Sequence, residues 1–118
     1  MDFLRKITLL QDLDPPALST FGALLVSKKA AAGSVIFREQ DDSDALYLVE
    51  SGEVVISKHI QSKVDVVIAT FRAGDFFGEM GLFDASPRSA TAQAKVTSNL
   101  WRLDRKAFLH ILSDHPEI

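Results

Sequence analysis

The sequence contains no cysteine. This absence excludes disulfide bonds, thiolate catalysis, cysteine-ligated zinc and iron–sulfur clusters. The sequence also lacks an apolar run close to the ~18 residues that a membrane-spanning helix needs, and its first residues lack the basic region of a secretory signal. We therefore expect a cytoplasmic protein that does not bind a membrane.

Basic residues do not exceed acidic ones. The 13 Lys and Arg residues against 16 Asp and Glu residues give a net charge of -3. Such a balance lacks the electrostatic footprint of a nucleic-acid-binding protein, so local charges must hold any anionic ligand. With 118 residues, of which 47% are hydrophobic, the chain has the size and composition of one domain spanning residues 1–118.

Histidines are also few, and they do not cluster. His59 falls at the end of a predicted strand, whereas His110 and His115 fall on two different predicted helices. A metal-dependent enzyme of the cupin type would bring its histidines together, and no nucleophile here accompanies a candidate base. We therefore expect no metal, no cofactor and no enzymatic activity.

Short runs of Val, Ile, Phe and Tyr occupy the middle of the sequence. Turn-forming clusters separate them about every ten residues, which is the spacing of antiparallel sandwiches and barrels. The pattern predicts a mainly β fold with flanking helices, specifically an antiparallel β-roll (double-stranded β-helix, jelly-roll-like) over about 33–103. The predicted strands are 34–38, 45–50, 54–58, 64–71, 89–94 and 100–103.

Helical patterns flank these strands. Apolar residues recur at helical spacing near the start, and Asp14 precedes two prolines that suit a first helical turn, so we predict a helical layer over about 1–28. At the other end, Asp104 is a candidate N-cap for a helix over 105–112, with Phe108, Leu109 and Leu112 as its apolar face. Residues 114–118 have the pattern of another opening turn. We expect the closing helices to span 104–118 and the natural protein to continue beyond them.

The stretch between the fourth and fifth predicted strands interrupts the β pattern. Gly78 and Gly81 bracket a short turn, and glycine allows the backbone to come close to a ligand. The free N–H groups of such a turn favour an anion, and Glu79 could accept a hydrogen bond from a ribose hydroxyl. Arg88 and Ser89 follow with a guanidinium and a hydroxyl that together suit one phosphate.

This stretch resembles the phosphate-binding cassette of the cyclic-nucleotide-binding domain family, of the catabolite activator protein and kinase regulatory subunit type. The resemblance runs from about residue 33 to residue 118. The matching motifs are Phe77-Gly78-Glu79 and Pro87-Arg88-Ser89-Ala90-Thr91, with Gly52, Gly74-Asp75, Leu103-Asp104-Arg105 and His115-Pro116-Glu117-Ile118 as further landmarks.

The resemblance implies a non-catalytic sensor that binds cAMP or cGMP and transmits binding to a downstream domain. In that role Glu79 contacts the ribose 2′-hydroxyl, and Arg88 and Ser89 contact the cyclic phosphate. The ligand contacts are completed by the backbone N–H groups of Gly78, Glu79, Met80, Gly81 and Ala90. We further expect the ribose and purine to lie against Ile56, Ile68 and Phe71.

Two features leave alternatives open. Gln40 stands where many members of the family have glycine, so its turn must adopt another geometry or tolerate a side chain. We expect this difference to affect folding and not the pocket.

In the alternative function the fold is kept, but the pocket is repurposed or empty, and the domain serves interaction or the sensing of another ligand. We expect no nucleic-acid contact through this chain, and expect any dimer to form through the helix after Ile118.

Overall fold

The computed structural model describes residues 15–60, 64–78 and 86–114. Within these ranges the chain forms eight strands and two helices, which confirms the predicted mainly β fold. In chain order the elements are α1 (Pro15–Ala23), β1 (Val26–Ala30), β2 (Val35–Phe37), β3 (Ala45–Ser51), β4 (Glu53–Ile60), β5 (Val64–Arg72), β6 (Phe76–Phe77), β7 (Thr91–Ala94), β8 (Ser98–Asp104) and α2 (Arg105–Asp114).

The described strands form two antiparallel sheets. One has the strand order β1-β8-β3-β6 and the other the order β2-β7-β4-β5. Strand β3 lies in the middle of the first sheet and is buried on both faces. Leu46 and Leu48 pack against the helices, whereas Tyr47 and Val49 pack toward the second sheet. The helices therefore cover one face of the first sheet, and the space between the two sheets is left to the second core cluster.

Helix α2 begins where the sequence predicts. The Asp104 Oδ1 accepts a hydrogen bond from the Ala107 N–H at 2.8 Å, as an N-cap residue does. The helix runs to Asp114, two residues beyond the predicted end. Phe108 and Ile111 are buried in its apolar face and Leu109 is partly buried beside them. The side chain of Leu112, also predicted on this face, lies outside the described residues.

The predicted N-terminal helical layer is wrong at its end. Helix α1 stops at Ala23, and Val26–Ala30 is a strand that pairs with β8. Pairing with β8 gives hydrogen-bond partners to the backbone groups that face that strand. This tertiary effect cannot be inferred from the helical spacing of apolar residues. Leu25 is nevertheless buried in the same cluster as Phe21. The predictions for residues 1–14 and 115–118, including the Asp14 cap, lie outside the described residues.

Two further strand predictions need correction. The stretch predicted as irregular contains the short strand β6, which exists because Phe76 and Phe77 pair with β3. The strand predicted over 89–94 begins only at Thr91. Its first predicted residues follow Arg88, whose backbone N–H and C=O groups hydrogen-bond to a turn and not to a neighbouring strand.

Neither of the two helices in the described part of the chain has the length and apolar character that a membrane crossing requires.

Candidate ligand-binding site

A cleft of about 200 Å³ lies against the second sheet. It brings together seven of the ten residues predicted for the site, namely Ile56, Ile68, Phe71, Gly78, Arg88, Ser89 and Ala90. The other three, Glu79, Met80 and Gly81, lie outside the described residues. The cleft thus joins a cation to an apolar surface, which suits a ligand with one anionic end and one apolar end.

Arg88 is the buried cation of this cleft, with only 3% of the residue exposed. Its Nη1 donates to the Gly78 carbonyl and its Nη2 to the Ala45 carbonyl, both at 2.5 Å. The guanidinium carbon also lies 4.0 Å from the centre of the Phe37 ring, close enough for a cation–π contact. The Nε of Arg88 has no hydrogen-bond partner within the described part of the chain. Among the described residues, the hydrogen-bond acceptors of this buried guanidinium are therefore neutral carbonyl oxygens.

The charge of Arg88 is weakly compensated by the described residues. The nearest carboxylate oxygen, Asp44 Oδ1, lies 3.6 Å from Nη2, and the Asp44 side chain is 63% exposed and also faces Arg102 at 3.4 Å. Burial lowers the pKa of Arg88, and the nearby Tyr47 and Asp44 partly oppose this effect. A buried cation whose partners are mainly neutral carbonyls is costly, and a bound anion would reduce that cost.

Gly78 allows the close approach of Arg88. Its φ of 86° lies in a region that side chains disfavour. A Cβ at this position would lie 3.0 Å from Arg88 Nη1 and 3.3 Å from the Ala45 carbonyl oxygen. Gly78 thus serves the site through its backbone, by accepting a hydrogen bond from Arg88 and by leaving room for it.

The turn that contains Gln40 holds the backbone of Arg88. The Gln40 N–H donates to the Arg88 carbonyl at 2.8 Å, and the Arg88 N–H donates to the Asp41 carbonyl at 2.7 Å. Gln40 keeps a left-handed conformation with φ at 77°, so the turn tolerates a side chain there. That this position affects folding and not the pocket stays a prediction. The same turn hydrogen-bonds to the backbone of the residue that carries the buried cation.

The apolar side of the cleft is richer in aromatic residues than predicted. Phe37, Ala69 and Phe77 line it together with the predicted Ile56 and Phe71. The Phe71 and Phe77 rings stack with centroids 5.7 Å apart, and Phe37 lies 6.1 Å from Phe77. Phe77 also belongs to the second core cluster, so its ring serves both the core and the cleft. The signal that could have placed Ala69 in the cleft is strand alternation, since Ala69 and Phe71 share one face of β5.

The predicted lining residues differ in exposure. Ile56 is 9% exposed, whereas Ile68 is 57% exposed at the mouth of the cleft. Ala90 is buried at 6%, and Ser89 is exposed. Ile56 and Ala90 therefore form the floor of the cleft, and Ile68 and Ser89 lie at its rim.

Metal-ligating residues do not converge here. Across residues 15–60, 64–78 and 86–114, no group of three or more His, Asp or Glu side chains could hold an ion. The Nδ1 of His59 lies 2.8 Å from Asp65 Oδ1, in the hairpin formed by β4 and β5, and neither residue lines the cleft.

Comparison with known proteins identifies the family of the chain. The profile of the family described as "Cyclic nucleotide-binding domain" matches residues 27–115, which include every described residue of the cleft. The chain therefore belongs to the cyclic nucleotide-binding domain family, a family of regulatory domains. This confirms the resemblance inferred from the cassette motifs.

A kinase regulatory subunit is among the proteins of similar sequence. The chain is 36% identical over 107 residues to a cAMP-dependent protein kinase regulatory subunit of Blastocladiella emersonii, a match that covers 91% of this chain and 27% of that protein. This chain thus spans about a quarter of the length of that relative.

Solved structures share the fold. The regulatory domain of Toxoplasma gondii PKA, co-crystallised with cAMP, has a TM-score of 0.87 and 36% identity, covering 96% of this chain and 43% of that one. The catabolite activator protein of Thermus thermophilus has a TM-score of 0.86 and 30% identity, covering 92% and 51%.

Proposed function

We propose that this chain binds a cyclic nucleotide, with Arg88 contacting the cyclic phosphate. The observation that carries the proposal is the buried Arg88 guanidinium, which lies at the polar end of an apolar cleft and whose Nε has no partner among the described residues. A cyclic nucleotide matches this arrangement because it has one anionic phosphate and a flat, largely apolar base. The regulatory domain of Toxoplasma gondii PKA, which was co-crystallised with cAMP, supports the same ligand class.

The remaining contacts in this proposal follow the family motif. Glu79 would accept a hydrogen bond from the ribose 2′-hydroxyl, and the backbone of Glu79, Met80 and Gly81 would contribute N–H groups. Ser89 lines the cleft next to Arg88 in the sequence, and its hydroxyl would contact the phosphate bound to Arg88. Ile56 and Phe71 offer apolar surface to the sugar and base.

We propose that binding acts by regulation and not by chemistry. The described lining of the cleft offers one cation, one hydroxyl and otherwise apolar groups, which suits recognition. Two neighbouring carbonyls link the site to α2. The Ala45 carbonyl accepts from Arg88 at 2.5 Å, and the Asp44 carbonyl accepts from the Arg105 N–H, at the start of α2, at 2.8 Å. A ligand that draws on Arg88 would thereby bias α2, which is a population shift.

Localisation and partners stay predictions in this proposal. The cytoplasmic location, the absence of nucleic-acid contact and a dimer contact in the helix after Ile118 rest on the sequence alone.

Isothermal titration with cAMP and with cGMP tests the ligand class. Saturable one-to-one binding of either nucleotide is expected. Arg88→Leu should weaken binding roughly tenfold to a hundredfold, because it removes charge-assisted hydrogen bonds to the phosphate. Arg88→Lys keeps the charge but lacks the planar fork of donors, so it should bind less tightly than the unmodified chain.

Arg72→Leu is the matched control for these variants. Arg72 pairs with Glu53 at 2.8 Å, its side chain is 67% exposed, and it does not line the cleft. Its loss should leave nucleotide affinity unchanged. Failure of both nucleotides to bind the unmodified chain would contradict the proposal and favour the alternative of a repurposed pocket. Equal affinity of Arg88→Leu and the unmodified chain would refute the role of Arg88.

A further inference from the structure

The segment 38–45 bonds to the chain on both sides of Arg88. Besides the two backbone bonds between Arg88 and the Gln40–Asp41 turn, the Glu39 N–H donates to Thr91 Oγ1 at 3.0 Å. Before Arg88, the Ser43 Oγ donates to the Ser86 carbonyl at 2.5 Å. Arg88 is therefore fixed through its own backbone and through residues that precede and follow it.

Within this segment, Ser43 contacts the residues that immediately precede Arg88. It is only 4% exposed, and it does not line the cleft. Its partner, the Ser86 carbonyl, belongs to the peptide bond that joins Ser86 to Pro87. Because the Pro87 ring fixes φ, the orientation of the Ser86 carbonyl restricts the directions in which the chain can continue to Arg88.

We propose that Ser43 is a positioning residue for the anion-binding guanidinium of Arg88. The inference rests on the proposed function, in which Arg88 contacts a phosphate. Hydrogen bonds weaken steeply as distance and angle depart from the optimum, so a small displacement of the guanidinium reduces phosphate binding. Ser43 thus controls affinity for the phosphate without touching the ligand.

Three variants test this role. Ser43→Ala removes the hydroxyl, and Ser43→Thr retains one. Ser34→Ala is the matched control, because Ser34 Oγ makes the same kind of bond, to the Ala31 carbonyl at 2.7 Å, and does not line the cleft. Each variant is titrated with cAMP and with adenosine, which lacks the phosphate. A second measurement, hydrogen exchange of the Arg88 amide relative to the core amides of β4, needs no ligand.

Ser43→Ala should weaken cAMP binding about fivefold, the equivalent of one hydrogen bond, and leave adenosine binding within about twofold of the unmodified chain. Ser43→Thr should recover most of the lost cAMP affinity, and Ser34→Ala should lose none. In Ser43→Ala the Arg88 amide should exchange several times faster, whereas the exchange rates of the β4 amides should not change. The reason is that the chain preceding Arg88 becomes more mobile without global unfolding.

Two results would overturn the inference. One is an equal loss of cAMP and adenosine affinity in Ser43→Ala, which would indicate a general loss of structure. The other is an Arg88 amide whose exchange relative to β4 is unchanged. A failure of the unmodified chain to bind both cAMP and cGMP would contradict the proposed function. The exchange measurement needs no ligand and would still decide whether Ser43 positions Arg88.

Discussion

Replacing Gly78 with alanine perturbs the backbone and the cation together. Alanine at a φ of 86° pays about 1–2 kcal/mol of conformational energy, offset by roughly 0.4–1 kcal/mol because alanine restricts the unfolded chain. The added Cβ would also lie 3.0 Å from Arg88 Nη1, so the guanidinium must shift by a few tenths of an ångström. We expect a loss of about 1 kcal/mol in unfolding free energy and a tenfold or greater loss of cAMP affinity, about one charge-assisted hydrogen bond.

Gly33→Ala provides a matched control for this prediction. Gly33 has a φ of 85°, nearly that of Gly78, but a Cβ there would meet no atom within 4 Å. Gly33→Ala should therefore lose a similar amount of unfolding free energy and retain the affinity for cAMP. Urea unfolding measures the first quantity and calorimetric titration the second. Unchanged affinity in Gly78→Ala, or an equal loss of affinity in both variants, would refute the assignment of the Gly78–Arg88 contact.

Two further predictions follow from the segment that holds Arg88. Gln40→Gly should raise the unfolding free energy by up to about 1 kcal/mol, since it relieves a left-handed side chain at a φ of 77° while keeping both backbone bonds to Arg88; a loss of stability in urea unfolding would contradict this. Adding cAMP should shift backbone amide signals in 38–45, 86–92 and the first turn of α2, and leave the tip of the β4–β5 hairpin unchanged. Uniform shifts across the chain would argue against a local linkage to α2.

Local signals account for what could be predicted from the sequence about the fold. The cap at Asp104 depends on an atom three residues away, so the start of α2 was visible in the sequence. The longer strands have their own β-rich composition, and their positions were close to the prediction. Strands β1 and β6 were missed because each forms by pairing with a distant strand, and a two-residue strand has no periodicity of its own.

The candidate site divides in the same way. The cassette motif was sufficient to single out Arg88 and Gly78, because short spacings and glycine requirements are written in the local sequence. The roles of Phe37 and Phe77 were not readable, since an aromatic residue that faces a cleft has the same sequence pattern as one that faces the core.

The sequence by itself determined the family, the β-rich architecture and which residue, Arg88, is the candidate for binding phosphate. Only the tertiary structure decided that Arg88 is buried, with neutral carbonyls as its hydrogen-bond acceptors among the described residues, and that Gln40 and Ser43 hold the chain around it. Ser43 lies 43 positions from Ser86 in the sequence. Hydrogen bonds over such separations arise from strand pairing and chain packing, and no local pattern of residue types encodes them.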